Sequence, residues 1–134
     1  MRILLTGSSG QLGTEIARQL SADHKIIGLD KLPGQWTSQI GSLTDRETIF
    51  ALMRGIDAVI HTASLHARHI NDASKQDFID TNISGILNLL EAAVQTGVRR
   101  FVYTSTTSTD GIEFFSRSTN GFPAFRPRQV SNNS

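Results

Sequence analysis

TGSSGQLG, the stretch from Thr6 to Gly13, decides the fold that this sequence predicts. It follows an apolar run with the pattern of a buried strand and precedes an amphipathic run with the pattern of a helix. In such a unit Gly7 permits a tight turn, Gly10 lets a pyrophosphate approach the backbone, and Gly13 lets the helix pack close to the strand. The start of the helix then offers free N–H groups to the phosphates. The stretch therefore predicts a dinucleotide-binding loop.

An acidic residue, Asp30, closes the second apolar run, 20 residues after Gly10. A carboxylate at this point can accept hydrogen bonds from both hydroxyls of an adenosine ribose. Its charge repels a 2′-phosphate, and the adjacent Lys31 offsets only part of that repulsion, so NAD is favoured over NADP as the cofactor. The alternative is a glycine-rich turn beside an ordinary solvated aspartate, which the strand before the loop and the helix after it make the weaker interpretation.

Apolar runs and helical patterns alternate along the rest of the chain. Strands are predicted at Arg2–Thr6, Lys25–Leu29, Ser38–Ile40, Asp57–His61 and Arg100–Thr104, and helices at Gln11–Ser21, Thr44–Met53 and Lys75–Thr96. Thr44 and Glu47 match a capping box. The last helix is expected to bury an apolar stripe made of Phe78, Ile79, Ile83, Ile86, Leu90 and Val94. Strands apolar on both faces and joined by helices predict an α/β fold, a Rossmann-type doubly wound parallel sheet of about five strands.

Length and composition limit the classes of protein to consider. With 134 residues the chain is expected to form one domain, small for an enzyme that needs both a cofactor lobe and a substrate lobe. It has no cysteine, no secretory pattern near Met1, and no apolar run of the ~20 residues that a membrane helix needs, so a cytoplasmic location away from membranes is expected. Three arginines and no acid follow Glu113, which is too weak a footprint to predict nucleic-acid binding.

Five motifs, in order, resemble those of the extended short-chain dehydrogenases/reductases, in particular the NAD-dependent epimerase/dehydratase group. TGSSGQLG resembles the family's TGxxGxxG. The other four stretches are GSLTD (41–45), DAVIHTAS (57–64), NISGILNLLEAA (82–93) and VRRFVYTSTTS (98–108). The resemblance covers Met1 to about Gly111. It implies an enzyme that transfers hydride between NAD and a hydroxyl or ketone, for which a nucleotide sugar is the favoured substrate.

The resemblance also implies roles for individual residues. Backbone N–H groups of Gln11 and Leu12 are expected at the pyrophosphate, and Asp30 with Lys31 at the ribose. The remaining cofactor-binding residues would be Ser42 and Leu43 at the adenine, Thr62, Ala63 and Ser64 after the fourth strand, and Thr104 towards the nicotinamide, while Asn82 would reach the cofactor pocket. Asn82 is equally compatible with capping nearby backbone, whereas a structural role is favoured for Asn88 because buried amides usually satisfy backbone groups. Ser42 stands where the family usually has an aspartate, and this is expected to weaken adenine binding.

Only part of the family's catalytic set is present in this sequence. Thr106 occupies the position of the Ser/Thr that hydrogen-bonds the reacting oxygen. The family's proton-transfer residues form a Tyr-x-x-x-Lys motif, but the single tyrosine is Tyr103, inside a strand, and no lysine follows Lys75. Asp110 replaces the tyrosine of the family's next turn. The chain is therefore expected to be inactive alone, and its fold incomplete relative to the family.

Other site chemistries find little support in the sequence. His66 and His69 have a helical spacing, but only Asp72 lies near them, so no metal site is predicted. The loop lacks the GxSxG turn of a serine hydrolase, and its serines are explained by phosphate binding.

A change in composition divides the chain near Thr106. Residues 1–106 are assigned to an NAD(P)-binding domain, and residues 107–134, without clear periodicity, to an irregular tail that is disordered or foreign. Three hypotheses follow: part of an NAD-dependent enzyme whose substrate site needs the missing half, a non-catalytic module that binds or senses NAD, and a structural remnant that associates through its aromatic tail. The glycine loop and Asp30 disfavour the third, and a homodimer is left open.

Overall fold

A computed structural model describes residues 1–63 and 74–104, and residues 1–104 form one compact unit. Its strands are β1 (Arg2–Thr6), β2 (Lys25–Asp30), β3 (Gln39–Ile40), β4 (Ala58–His61) and β5 (Arg100–Tyr103). Its helices are α1 (Gln11–Leu20), α2 (Arg46–Met53), α3 (Lys75–Ile79) and α4 (Gly85–Thr96), with a π-helical turn at Asp80–Ser84 between the last two. The predicted α/β class and the five strands are confirmed.

The five strands form one parallel sheet in the order β3-β2-β1-β4-β5. The chain builds outward from β1 to β3, then crosses back to place β4 on the other side of β1. Helices α2 and α4 pack together over one face of the sheet. The right-handed rule for crossovers between parallel strands places α1 on the other face. The carboxyl ends of β1 and β4 therefore form the switch point at which doubly wound proteins bind their ligands.

The main hydrophobic core lies between the sheet and the α2/α4 layer. Leu4 and Val59 are register partners on neighbouring strands, both fully buried, and half-buried Phe101 continues the row on β5. The helices contribute Ile49 and Met53 of α2 and Leu89 of α4, which pack against these strand residues. Burial of apolar side chains on this face holds α2 and α4 against the sheet.

The N-cap of helix α2 lies one residue later than predicted. The capping box of Thr44 and Glu47 is wrong, because Asp45 is the N-cap and its side chain accepts hydrogen bonds from the N–H and hydroxyl of Thr48. These bonds lower the pKa of Asp45. A carboxylate caps a helix more effectively here than a hydroxyl, since it also complements the helix dipole.

The predicted core stripe of the last helix is also wrong. Ile79, Ile83, Leu90 and Val94 are exposed, Val94 to 80%. The face towards the sheet instead carries Thr81, Gly85, Leu89, Ala92 and Ala93. Small side chains let this helix approach closely: a Cβ at Gly85 would lie 2.6 Å from Cβ of Leu43. Periodicity correctly grouped the large residues on one face, but it did not indicate which face meets the sheet.

A buried polar pair, Thr6 and His61, lies beyond the apolar core at the carboxyl ends of β1 and β4. The two residues are register partners, and Thr6 Oγ1 hydrogen-bonds His61 Nδ1 at 2.6 Å. The imidazole stacks on Tyr103 of β5 with 5.6 Å between ring centroids. His61 Nε2 is buried without a partner among the described residues, and burial lowers the pKa of His61 from 6.5 to about 4. The imidazole is therefore neutral at physiological pH.

The two faces of α4 can be separated with adjacent leucines. We expect Leu89→Ala to lower the free energy of unfolding by about 2–5 kcal/mol, because Leu89 is fully buried, whereas Leu90→Ala, 40% exposed, should change it by only about 0.5 kcal/mol. Urea denaturation followed by circular dichroism measures both. Equal losses for the two variants would contradict the assignment of the core face.

The buried imidazole predicts a pH dependence of stability. As pH falls from about 6.5 to about 4, the unfolded chain binds a proton that folded His61 resists, so the free energy of unfolding should fall by on the order of 2–3 kcal/mol. Above pH 6.5 this contribution is fully present. Arg18 and Gln19 lower the pKa of Glu15 from 4.5 to about 2, so Glu15 affects the pH dependence of stability only at lower pH than His61 does.

His61→Phe serves as the control, since it keeps an aromatic ring against Tyr103 and removes the titrating group. Urea denaturation of both proteins between pH 5 and 6.5 should give a smaller slope against pH for the variant. Identical slopes would show that His61 is not the group responsible.

Candidate functional site

Three glycines shape the turn between β1 and α1. Gly7 has φ of 78°, and a Cβ there would lie 2.5 Å from Thr62 Oγ1. A Cβ at Gly13 would lie 2.0 Å from the carbonyl oxygen of Gly7. Gly10 has φ of −72°, and a Cβ there would meet only that carbonyl oxygen, at 3.4 Å. The fold therefore requires Gly7 and Gly13, whereas Gly10 leaves open space above the backbone, as pyrophosphate binding demands.

The N-terminus of α1 presents unpartnered backbone donors. Gly10 is the N-cap, makes no side-chain capping bond, and no acidic residue lies in the first turn. The N–H groups of Gln11, Leu12 and Gly13 consequently have no partner inside the helix, and the helix dipole adds partial positive charge. Gln11 and Leu12 are exposed at this point. This end of α1 can bind a diphosphate.

Asp30 reaches the glycine loop from the end of β2. Its Oδ2 accepts the N–H of Ser9 at 2.9 Å, and its Oδ1 accepts the N–H of Leu32 at 3.2 Å. Each oxygen keeps a second lone pair, so the carboxylate can still accept a hydroxyl. The pKa of Asp77, at the start of α3, is lowered by hydrogen bonds from Ser74 and to a smaller extent by the charge of Lys31.

Thr62 braces the switch point. Its N–H and its hydroxyl both donate to the carbonyl oxygen of Thr6, at 3.0 and 2.7 Å, and the hydroxyl also lies 3.3 Å from the carbonyl oxygen of Gly7. Ala63 packs against the core beside it. The Thr62 hydroxyl therefore holds the loop in place and is not a free donor for a cofactor.

Thr104 ties β5 to β4 at the same edge. Its N–H and its hydroxyl both donate to the carbonyl oxygen of His61, at 3.1 and 2.8 Å. The structure thus brings Thr62 and Thr104 to one edge of the sheet, as expected, and gives both side chains a structural bond there.

The residues predicted near the adenine and those predicted on the last helix differ in burial and in their hydrogen-bond partners. The Ser42 hydroxyl hydrogen-bonds Thr44, whereas the Leu43 side chain is buried in the core. Asn88 Nδ2 donates to the Leu43 carbonyl at 2.9 Å, which confirms its structural role. Asn82 is half-buried in the π-helical turn.

Several predicted residues lie outside the described part of the chain. They are Ser64, His66, His69, Asp72, Thr106, Asp110 and the whole segment 107–134. Among residues 1–63 and 74–104, no group of three His, Cys, Asp or Glu side chains could hold a metal ion. No helix in these ranges is long and apolar enough to span a membrane.

Sequence analysis missed two polar contacts behind the loop. One is Thr6–His61, for which a histidine closing an apolar strand was the available signal. The other joins Ser8 Oγ to Thr37 Oγ1 at 2.8 Å, across 29 residues. No local pattern marks Thr37, because it lies in a segment without periodicity.

Two open clefts lie elsewhere in the described part of the chain. One, of about 480 Å³, lies at the amino ends of the strands beside Asp57 and Arg100, and the other, of about 550 Å³, lies along α2 beside Phe50. Neither includes a residue of the glycine loop. The candidate site is supported by backbone geometry and not by an enclosed volume.

Comparison with models of known protein families gives a match over most of the chain. The model of the NAD dependent epimerase/dehydratase family matches residues 3–128. The matched region continues past Thr106, the predicted end of the cofactor domain.

Individual relatives are larger than this chain. A 3-beta-hydroxysteroid dehydrogenase of Mycolicibacterium neoaurum is 30% identical over 80% of this chain and 32% of its own length. A short-chain dehydrogenase/reductase superfamily protein of Agrobacterium tumefaciens, solved with bound NAD, is 30% identical, with a TM-score of 0.71 over 80% of this chain and 33% of its own.

A UDP-glucose-4-epimerase of Stenotrophomonas maltophila, solved with NAD and formylated UDP-arabinopyranose, is 28% identical, with a TM-score of 0.69 over 84% of this chain and 39% of its own. The chain therefore spans about a third of the length of these relatives. From the family match across almost its whole length, the chain belongs to the NAD dependent epimerase/dehydratase family.

Proposed function

We propose that residues 1–104 bind NAD at the carboxyl edge of the sheet, as the cofactor-binding part of an enzyme that oxidises a hydroxyl or reduces a ketone. The observation that carries this proposal is the uncapped start of α1 above Gly10, with Asp30 beside it. Bound NAD would supply the hydride acceptor, and this chain would supply binding and orientation.

The pyrophosphate is assigned to the N–H groups of Gln11, Leu12 and Gly13. A diphosphate there meets both the unpartnered donors and the positive end of the helix dipole. The lack of a side chain at Gly10 leaves room for close approach, since even a Cβ at this position would lie 3.4 Å from its nearest neighbour, the Gly7 carbonyl oxygen. This fit depends on backbone atoms and is therefore tolerant of the side chains at positions 11 and 12.

The adenosine ribose is assigned to Asp30. Its carboxylate is oriented by Ser9 on one side and Leu32 on the other, which leaves lone pairs for the ribose hydroxyls. The negative charge favours NAD over NADP, whose 2′-phosphate it would repel. Ser42 and the main chain of Leu43 remain the proposed adenine neighbours.

The nicotinamide side is assigned to the ends of β4 and β5. Ala63 and Ser64 would line the cofactor there, with Thr62 and Thr104 as braces and Asn82 near the start of α4. Thr106 would hydrogen-bond the reacting oxygen of the substrate. We propose a nucleotide sugar as the substrate class, on the similarity to UDP-glucose-4-epimerase, with a sterol as the competing class on the similarity to the steroid dehydrogenase.

Proton transfer needs residues that the 134-residue sequence does not contain. No Tyr-x-x-x-Lys motif occurs in it, so we propose that this chain alone does not turn over substrate. The same observation favours a second candidate, a module that binds NAD without catalysis. Adding a polypeptide that carries the family's Tyr-x-x-x-Lys region, together with a nucleotide sugar that has an oxidisable hydroxyl, separates the two. Only the first predicts that the sugar is then oxidised to a ketone while its hydride reduces NAD to NADH.

Gly10 provides the sharpest test of the binding site. Gly10→Val should weaken NAD binding at least about tenfold, because its side chain fills the space above the loop, while costing only about 1 kcal/mol of stability at the N-cap. Calorimetric titration with NAD and thermal unfolding measure the two effects. Gly13→Ala is the contrast and should unfold at a much lower temperature, since its Cβ would clash with Gly7. Unchanged affinity in Gly10→Val would reject the site.

Asp30 provides the test of cofactor choice. Asp30→Asn should raise affinity for NADP relative to NAD by roughly fivefold, because removing the charge removes a repulsion worth about 1 kcal/mol. Asp57→Asn is the matched control, since it makes the same charge change at the opposite edge, where Asp57 accepts the N–H of Arg2. Parallel titrations with both dinucleotides measure the ratio, and an equal ratio in all three proteins would contradict the role of Asp30.

A further inference from the structure

Residues 31–38, which connect β2 to β3, fold back over the strand that precedes them. The N–H of Ser38 donates to the carbonyl oxygen of Gly28 at 2.9 Å, and Ser38 Oγ accepts the N–H of Gly28 at 3.3 Å. A turn closes the segment, with the N–H of Thr37 donating to the carbonyl oxygen of Gly34 at 3.1 Å. The segment is thus anchored to β2 at its far end.

Three contacts join this segment to the glycine loop. Ser8 Oγ and Thr37 Oγ1 share a hydrogen bond of 2.8 Å. Gly34 lies against Ser9, since a Cβ at Gly34 would be 2.9 Å from Ser9 Cβ. Asp30 forms the third contact, because its carboxylate accepts one N–H from the loop and one from Leu32 in the segment.

The packing between these parts leaves little freedom of movement. Ser8 is fully buried. A Cβ at Gly28 would lie 1.8 Å from the carbonyl oxygen of Trp36 and 2.8 Å from Ser8 Oγ. Strand, loop and segment therefore touch directly, and a shift of the segment must displace the loop or the Asp30 carboxylate.

We propose that Thr37 is a positioning residue for dinucleotide binding, which rests on the proposed function. Its hydroxyl holds the segment on Ser8 and so keeps the Leu32 N–H on the Asp30 carboxylate and the glycine loop in its binding conformation. Thr37 contacts no cofactor in this proposal. It acts through Ser8 and Asp30.

The contribution of the Thr37 hydroxyl can be isolated with two substitutions. Thr37→Val keeps the branched shape and leaves Ser8 Oγ without its partner in a buried position, which favours displacement of the segment. Thr37→Ser keeps the hydroxyl and should restore the contact. Trp36 is the only tryptophan in the chain and lies next to Thr37, half-buried, so its fluorescence reports on the segment.

The experiment compares wild type, Thr37→Val, Thr37→Ser and the control Thr48→Val, which removes a hydroxyl bond at the start of α2 instead. Acrylamide quenching of Trp36 without ligand measures exposure of the segment, and titration with NAD well below the unfolding temperature measures affinity. We expect Thr37→Val to quench more readily and to bind NAD about three- to tenfold more weakly. Thr37→Ser and Thr48→Val should bind as wild type does.

Two results overturn the inference, and they differ from failure of the proposed function. If Thr37→Val binds NAD as wild type does and loses only thermal stability, as Thr48→Val is expected to, Thr37 is purely structural. If Thr37→Ser binds as weakly as Thr37→Val, the hydroxyl is not responsible. If wild type itself shows no NAD binding, the proposed function fails and the inference falls with it.

Discussion

The close contact between Gly7 and Gly13 is the constraint on which the rest of the structure depends. The chain must leave β1, turn with a positive φ at Gly7, and start α1 so close to the turn that a Cβ at Gly13 would lie 2.0 Å from the Gly7 carbonyl oxygen. This geometry directs the start of α1 at the carboxyl edge of the sheet and leaves its first N–H groups unpartnered. A larger residue at Gly13 would push α1 away from the turn, and one at Gly7 would clash with Thr62, so either change would disturb the loop that presents these N–H groups.

Several side-chain hydrogen bonds at the carboxyl edge of the sheet stabilise the strand ends that carry the glycine loop. Thr62 donates twice to the Thr6 carbonyl, Thr104 donates twice to the His61 carbonyl, and Thr6 hydrogen-bonds His61 across the strands. Buried polar groups that are satisfied in this way fix a single arrangement of strand ends. Family motifs are usually interpreted as lists of cofactor contacts, but in this chain two of the threonines expected there use their hydroxyls to hold backbone.

The sequence was sufficient for features that depend on local chain geometry and insufficient for those that depend on distant partners. Short apolar runs between helical patterns predicted the five strands, and the spacing of Gly7, Gly10 and Gly13 predicted the turn. Hydrophobic periodicity grouped Ile79, Ile83, Leu90 and Val94 correctly but placed them in the core, because large apolar residues suggest burial more strongly than small ones. Close packing required the opposite face, where Gly85 fits against Leu43. Ser8 and Thr37 could not be paired from sequence, since only the folded segment brings them together.

Binding and chemistry make different demands on a chain of this length. In the proposed site, pyrophosphate and ribose recognition depends on backbone N–H groups, one helix dipole and one carboxylate, all within residues 7–38. Proton transfer in the family depends on a tyrosine whose pKa a nearby lysine lowers, and no Tyr-x-x-x-Lys motif occurs in these 134 residues. A hydroxyl such as that of Thr106 can hydrogen-bond a reacting oxygen, but its own pKa lies far above neutrality and it cannot take the proton alone. Under the proposed function, the phosphate and ribose contacts therefore lie within residues 7–38, whereas the proton-transfer pair is absent from a sequence that spans about a third of the length of its relatives.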